Sequence, residues 1–264
     1  MTKPLRAGPA RRLCAAAMLL AALASPAAAA PACEGRPDAL GTSRVLEVPA
    51  GVRVGLKSFP QNLPLAEKEV VLTFDDGPWP TTTAAILDAL KAECVRATFF
   101  LIGQNARARP ALVRREIAEG HTVAHHSLTH PSATLAKLSH GAALAEIDRG
   151  IAADEMAAYG SAAGAPRVPF FRFPGFASTP ALLDDLGRRG ISVFGADFWA
   201  SDWNPMTPDQ QLALVLGRLE AAGRGIVLFH DNKAQTAAMI PAFLRDMKAR
   251  GYKVVHMVPA APAR

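Results

Sequence analysis

Aromatic residues are scarce, 6% of 264, with three tryptophans and two tyrosines. Beyond Trp79, Trp199 and Trp203 no obvious platform exists on which a sugar or base could stack, and each of these three is expected in the core before it is expected against a ligand. Cysteine is scarcer still. Cys14 lies near the N-terminus, Cys33 and Cys94 remain, and neither stands in a CxxC pattern, which argues against a thiolate metal site. Net charge is also small. The formal value is +6, but residues 1–30 carry Lys3, Arg6, Arg11 and Arg12 and no acid, so the rest of the chain holds +2. That balance gives no reason to expect a nucleic-acid partner. The single long apolar run, 13–24, is too short to span a bilayer stably. No short-period repeat is present, and nothing beyond the alanine-rich leader is low in complexity.

The basic start, the apolar run, Ser25-Pro26 and the alanines that follow read as a signal peptide over 1–30, cut after Ala29 or Ala30. A retained anchor is the alternative. Export to the periplasm or beyond implies an oxidising compartment, so Cys33 and Cys94 can pair. The mature chain is expected to be a monomer without a membrane span. Residues 31–67 hold Pro37, Pro49, Pro60 and Pro64 around short apolar runs at 45–48 and 52–56, and read as an arm packed on the main domain, 68–264.

From 68 onward strand and helix signals alternate. Strands are predicted over 70–74, 97–101, 122–124, 170–172, 191–194, 226–229 and 253–257. Helices are predicted over 81–92, 111–119, 140–159, 180–189, 208–222 and 239–250, several stopped by glycine. About seven strands in this alternation argue for a parallel α/β architecture, most simply a (β/α) barrel.

Polar residues gather where these strands end. Asp75 and Asp76 follow the first strand, His125, His126 and His130 the third, Arg172 ends the fourth, Asp197 and Asp202 follow the fifth, and His230-Asp231 end the sixth. In a parallel barrel those ends meet at one face, which holds the active site. Adjacent side chains on an extended strand point opposite ways, so Asp75 and Asp76 share a task only if the strand bends. A division of labour follows, one aspartate a metal ligand and the other a base. His126 and His130, four apart in H-S-L-T-H, would share a face on one helical turn. Two histidines and one aspartate make three ligands and leave a position open, the layout of a catalytic site, with zinc the first choice among divalent metals. His125 is expected to point away, and His121 and His140 to be structural or exposed.

T-F-D-D-G-P at 73–78, H-S-L-T-H at 126–130, R-F-P-G at 172–175, S-D-W at 201–203 and L-F-H at 228–230 resemble, in order, the five motifs of the polysaccharide deacetylases, the NodB-type enzymes of carbohydrate esterase family four. The resemblance covers about 68–258. It implies a distorted barrel and a divalent metal used to remove acetyl groups from N-acetylated or O-acetylated glycans such as peptidoglycan, chitin or xylan. By motif position it implies Asp76, His126 and His130 as metal ligands, Asp75 as base and Arg172 as its holder. His230 would be the acid, supported by Asp202. The Gly175 N–H would stabilise the oxyanion, and Trp203 and Leu228 would wall the acetyl pocket. Two positions depart from the pattern: Gly175 stands where an aromatic is usual, and Trp199 where an aspartate often precedes Asp202. Two other readings are weighed beside it, a phosphatase with Asp75 as nucleophile and a barrel that binds sugar without catalysis.

Overall fold

All seven expected strands form, and three more join them. The computed structural model describes residue 1 and residues 36–162 and 164–261. In chain order the elements are β1 (Thr42–Val48), β2 (Arg53–Val54), β3 (Glu69–Asp75), α1 (Thr82–Ala92), β4 (Thr98–Leu101), α2 (Gly103–Ala108), α3 (Pro110–Ala118), β5 (Thr122–His125), α4 (His140–Tyr159), β6 (Phe170–Phe171), α5 (Pro180–Arg188), β7 (Ser192–Phe194), β8 (Phe198–Trp199), α6 (Pro208–Ala222), β9 (Gly225–His230), α7 (Ala234–Ala249) and β10 (Lys253–Pro259). The expected leader, 1–30, lies outside the described residues apart from Met1. No helix among the described residues is long and apolar enough to cross a membrane.

The strands pair in parallel in the order β1-β10-β3-β4-β5-β6-β7-β2, with β9 on the other edge of β3 and β8 beyond it. The circuit β8-β9-β3-β4-β5-β6-β7 is therefore a barrel left open between β7 and β8, which are consecutive in the chain. The arm does more than pack on the domain. Its two strands extend the sheet, β1 along β10 and β2 along β7. Asp197, left outside the catalytic set by its position, explains itself here. Its carboxylate accepts from Leu56 N (2.8 Å), Asn62 Nδ2 (2.8 Å) and Ile226 N (2.6 Å), tying arm to barrel at the opening. At its other end the arm docks on the close of α1, where Leu40 N and Gly41 N donate to Glu93. Cys94, next in sequence, is disulfide-bonded. Its expected partner, Cys33, lies outside the described residues.

Beyond shifts of a single residue at helix ends, the helices differ from expectation in two places. α2 was not foreseen, because six residues, GQNARA, carry no apolar period. α7 starts at Ala234 rather than 239 and runs through Pro241. Its small, polar first turn hides the start, and the proline removes only one ladder bond.

Alternation along the strands decides which residues enter the barrel. Val70, Leu72 and Phe74 pack outward against α1 and α7, together with Phe99, Phe229 and Phe243. Val71, Phe100, Ala124, Phe170, Phe194 and Ile226 pack together inside. Side chains two apart share a face, so the inner rows continue upward to Asp75 on β3, His126 after β5, Arg172 after β6 and His230 on β9. The same parity sends His125 and Asp231 outward.

Candidate active site

The expected site residues come together at the C-terminal ends of the strands. A cavity of about 490 Å³ is lined by Asp75, Asp76, His126, His130, Gly175, Trp203, Leu228 and His230, with Phe173, Phe176, Trp199 and Lys233. Arg172 and Asp202 lie behind this surface, fully buried.

β3 bends where it must for both aspartates to meet one cavity. Asp75 ends the strand, and Asp76 takes φ +79°, a left-handed conformation that a non-glycine residue adopts only under tertiary constraint. That constraint is visible. The Asp76 carbonyl accepts from Asn105 Nδ2 (2.9 Å), on the unforeseen α2, and Asp76 Oδ2 accepts from Asn232 Nδ2 (3.2 Å). The turn that follows passes so close to β9 that a Cβ on Gly77 would lie 2.1 Å from Asp231 Oδ2. Asp231 is held there by the hydroxyl of Thr83, 2.5 Å away.

His126 and His130 do not share a helical turn. The segment is a bend, with Ser127 at φ +68° and His130 at φ +52°, and the imidazole centroids lie 5.1 Å apart. The bend is gripped from two sides. Gly103 N and Gln104 N at the start of α2 donate to Ser127 O and Leu128 O, while α4 presents Glu146 O to Leu128 N and the Glu146 carboxylate to Thr129. α4 comes so near that a Cβ on Gly150 would stand 2.5 Å from the Ser127 carbonyl carbon.

The donor atoms suit a cation. His126 Nδ1 lies 2.7 Å from the Arg172 carbonyl, which can only accept, so Nδ1 carries the proton and Nε2 keeps a free lone pair. Burial holds that ring neutral, with a pKa near 3 despite the Asp76 charge. Asp76 Oδ1 is buried without a hydrogen-bond partner, and His126 Nε2 and His130 Nε2 each lie 3.7 Å from it. That is too long for a hydrogen bond. All three ligand atoms fall within 4.8 Å of one another, the one such group among the described residues. A lone carboxylate oxygen and two imidazole nitrogens facing a common space are a fit for zinc or another late first-row divalent ion.

Asp75 stands beside this group, its Oδ2 3.7 Å from His126 Nε2. Its Oδ1 receives Arg172 Nη1 at 2.7 Å. Every polar end of the buried guanidinium is used: Nη1 also donates to Thr73 Oγ1 (2.9 Å), Nη2 to Gly195 O (2.8 Å) and Nε to Phe194 O (3.3 Å). Such satisfaction is what lets an arginine sit in a core. Burial raises the Asp75 pKa, and Arg172, His230 and His130 oppose the rise.

Across the cavity, the expected Asp202–His230 hydrogen bond is present, Nδ1 to Oδ1 at 2.7 Å. Asp202 Oδ2 also accepts from His230 N (2.6 Å) and Thr236 Oγ1 (2.8 Å). Burial alone would lower the histidine pKa. The Asp202 bond and charge, with Asp76 and Asp75, outweigh it and raise the value to about 9. The ring is thus a proton donor at neutral pH, with Nε2 free of the carboxylate.

The three histidines expected to lie outside the site do so. His125 pairs with Asp154 (2.8 Å) on the outer face of the barrel. Burial lowers the histidine to about 4 and raises Asp154, so the pair is a neutral hydrogen bond and not an ion pair. His140 meets Asp185 at the surface, and His121 accepts from Ala97 N. Two expectations need correction. Trp79 and Trp203 are exposed, by 39% and 50%, and Trp199 and Trp203 line the cavity rather than the core. A solvent-facing indole has no distinct sequence signal. The aromatic missing at Gly175 stands one residue later, as Phe176 at φ +57°. Thr73, Asn105, Asn232 and Lys233 also belong to the site. Only Thr73 had a usable signal, since it shares the inner row with Asp75.

The polysaccharide deacetylase family model matches residues 62–194. A peptidoglycan-N-acetylglucosamine deacetylase of Bacillus cereus is 34% identical over 203 residues, 75% of this chain and 72% of that protein. A chitooligosaccharide deacetylase of Bradyrhizobium sp. is 31% identical over 75% of this chain and 86% of its own length. Among solved structures, a peptidoglycan deacetylase of Bdellovibrio bacteriovorus superposes with a TM-score of 0.72 at 35% identity, over 84% of this chain but 60% of that one.

Proposed function

Because the chain belongs to the polysaccharide deacetylase family, the hydrolases of carbohydrate esterase family four, we propose that it is an exported, divalent-metal-dependent enzyme that removes acetyl groups from an N-acetylated glycan, with peptidoglycan the preferred candidate. One observation carries this reading: the unpartnered Asp76 Oδ1 and the imidazoles of His126 and His130 face one space, with Asp75 on one side and His230 in the same cavity. Export rests on the leader sequence and is in keeping with the disulfide at Cys94. The glycan preference rests on the relatives named above.

Asp76, His126 and His130 would hold the ion, most suitably Zn²⁺. When bound it supplies Lewis-acid polarisation of the acetyl carbonyl and lowers the pKa of water. The chain's own residues do the rest. Asp75 accepts the proton of the attacking water through Oδ2, because Arg172 occupies Oδ1. Its raised pKa makes it a stronger base than an exposed aspartate, and Arg172 opposes the rise. The Gly175 N–H is the donor assigned to the oxyanion. His230 then delivers a proton to the departing amine, which would otherwise be a poor leaving group, and Asp202 keeps the ring charged until that moment. Trp203 and Leu228 bound the space for the methyl group.

The test is acetate release from peptidoglycan, chito-oligosaccharide and acetylated xylan, in metal-stripped and zinc-loaded protein, beside Asp75→Asn. Zinc-dependent release by the native protein, lost in Asp75→Asn while one equivalent of metal stays bound, is expected. Release that ignores both chelation and the substitution would refute the proposal.

A further inference from the structure

Asp76 is held at every polar atom but one. Its N–H donates to Phe100 O (3.3 Å), its carbonyl accepts from Asn105 Nδ2 (2.9 Å) and Trp79 Nε1 (3.3 Å), and its Oδ2 accepts from Asn232 Nδ2 (3.2 Å). Oδ1 alone is buried without a hydrogen-bond partner, 3.7 Å from His126 Nε2 and from His130 Nε2. The same arrangement holds at His126, where the Arg172 carbonyl occupies Nδ1 and leaves Nε2. Each of these two residues thus has its second polar atom taken and presents a single donor atom to the common space.

The group that does this for Asp76 is not explained by the fold. Asn232 is half-buried on the turn that joins β9 to α7. The turn is fixed without it: Asp231 N donates to Asp75 O (3.1 Å), Lys233 N donates to His230 O (3.4 Å), and Thr83 holds the Asp231 carboxylate. The Asn232 amide oxygen is buried and has no partner among the described residues. Turned over, the amide would set that oxygen against the Asp76 carboxylate, so Nδ2 is the atom that faces Oδ2. A buried acceptor without a partner is a cost to stability, and a hydrocarbon side chain of the same size would avoid it. What Asn232 contributes is therefore its one bond to Oδ2. That bond is also neutral. Asp75 receives a guanidinium, which offsets its charge, whereas Asp76 receives an amide, which fixes the carboxylate and leaves its charge for a cation.

We propose that Asn232 is a positioning residue for the metal. By occupying Oδ2 it makes Asp76 a one-oxygen ligand, and so sets which ion the site prefers. One carboxylate oxygen with two imidazoles suits zinc, which takes few ligands. A carboxylate free to offer both oxygens suits manganese and other ions that favour oxygen and higher coordination numbers. The inference rests on the metal site of the deacetylase reading and deepens it.

The experiment measures the affinity of the metal-stripped protein for Zn²⁺ and for Mn²⁺, by competition with a chelating dye and without substrate. Asn232→Leu keeps the size and removes the donor. It should weaken zinc binding by about tenfold or more, the usual effect of losing such a partner. Manganese binding should weaken less, so that the preference for zinc over manganese also falls by about tenfold. Asn232→Ala should give the same fall without the bulk of leucine. Asn105→Leu takes a donor from the Asp76 carbonyl and none from its carboxylate, and should weaken both ions by a similar factor. An unchanged preference in both Asn232 variants overturns the proposal. So does an equal fall in preference in Asn105→Leu, which would mean that holding Asp76 as a whole is what matters. Native protein that binds neither ion is a different result, because it refutes the metal site itself.

Discussion

Replacing Asp202 by asparagine isolates the proton donor. In the native chain the pKa of His230 is raised from 6.5 to about 9. Each unit corresponds to about 1.4 kcal/mol, so the shift is on the order of 3 kcal/mol in favour of the charged ring. The sign follows from linkage. A histidine whose folded pKa lies above its unfolded one gives stability that is complete below pH 6.5 and is lost as pH rises through about 9. Burial by itself acts the other way, and Asp202 is the largest of the groups that overcome it. Its carboxylate also serves three donors, the His230 ring, His230 N and Thr236 Oγ1, and an amide has one oxygen to offer them. In Asp202→Asn the ring should therefore titrate at least two units lower, by about 3 kcal/mol on the same scale. Histidine NMR of the metal-free protein reads the pKa directly. The alkaline limb of kcat/KM in the zinc-loaded protein should move in the same direction. A bound cation lowers both values, so the difference between the proteins is the quantity to compare. Loss of rate on acetamides should exceed loss on activated acetate esters, whose leaving groups need little protonation. A His230 pKa within half a unit of native in the variant would refute the reasoning, as would equal losses on amide and ester.

Three further outcomes are expected. Gly150→Ala should cost metal affinity rather than remove a ligand, because the new methyl would meet the Ser127 carbonyl carbon at 2.5 Å and push the His126–His130 bend off α4; zinc titration should show at least tenfold weaker binding, and unchanged affinity would show that the bend does not set it. Arg172→Met should destabilise the fold by about 3–5 kcal/mol by leaving Asp75 buried without its partner, and should move the acidic limb of the pH–rate profile upward; a denaturant midpoint equal to native would contradict it. His121 and His256, near 3 and 4 because burial holds both neutral, should make the fold acid-sensitive. Stability is complete above pH 6.5 and should fall by about 1.4 kcal/mol per pH unit for each as pH drops toward 4, and the paired substitution His121→Gln with His256→Gln should flatten that slope in urea titrations.

The architecture and the membership of the site were legible in the sequence for one physical reason. Apolar strands in a parallel barrel announce themselves, and chemistry at their C-terminal ends converges whatever the loops do. Alternation would have carried the reading further. Counting by twos from Val71 reaches Asp75, from Ala124 His126, from Phe170 Arg172 and from Ile226 His230, while His125 and Asp231 fall on the other face. The arm was harder to read. Thr42–Val48 carries two buried residues only, Leu46 and Val48, so its strand is visible through its partner β10 rather than through its own pattern.

The turns that aim Asp76, His126 and His130 left no trace in the sequence. Eight non-glycine residues among the described ones have positive φ, and Asp76, Ser127, His130, Phe176 and Ser201 belong to the loops around the cavity. Nothing in D-D-G-P or H-S-L-T-H announces a left-handed aspartate or histidine, and an isolated peptide would relax both at a gain of about 1–3 kcal/mol each. What keeps them is contact from elements distant in sequence: Asn105 and Asn232 on Asp76, the first turn of α2 on Ser127 and Leu128, Glu146 on Thr129. Of these elements α2 was the one with no period to reveal it. Local preference and tertiary demand thus disagree at the place where a carboxylate and two imidazoles have to face one point. The same disagreement explains why the helical spacing of His126 and His130 picked out a pair that does converge, but by the wrong local geometry. Four residues apart is compatible with a helix, but the pair converges here because a bend is clamped between two helices.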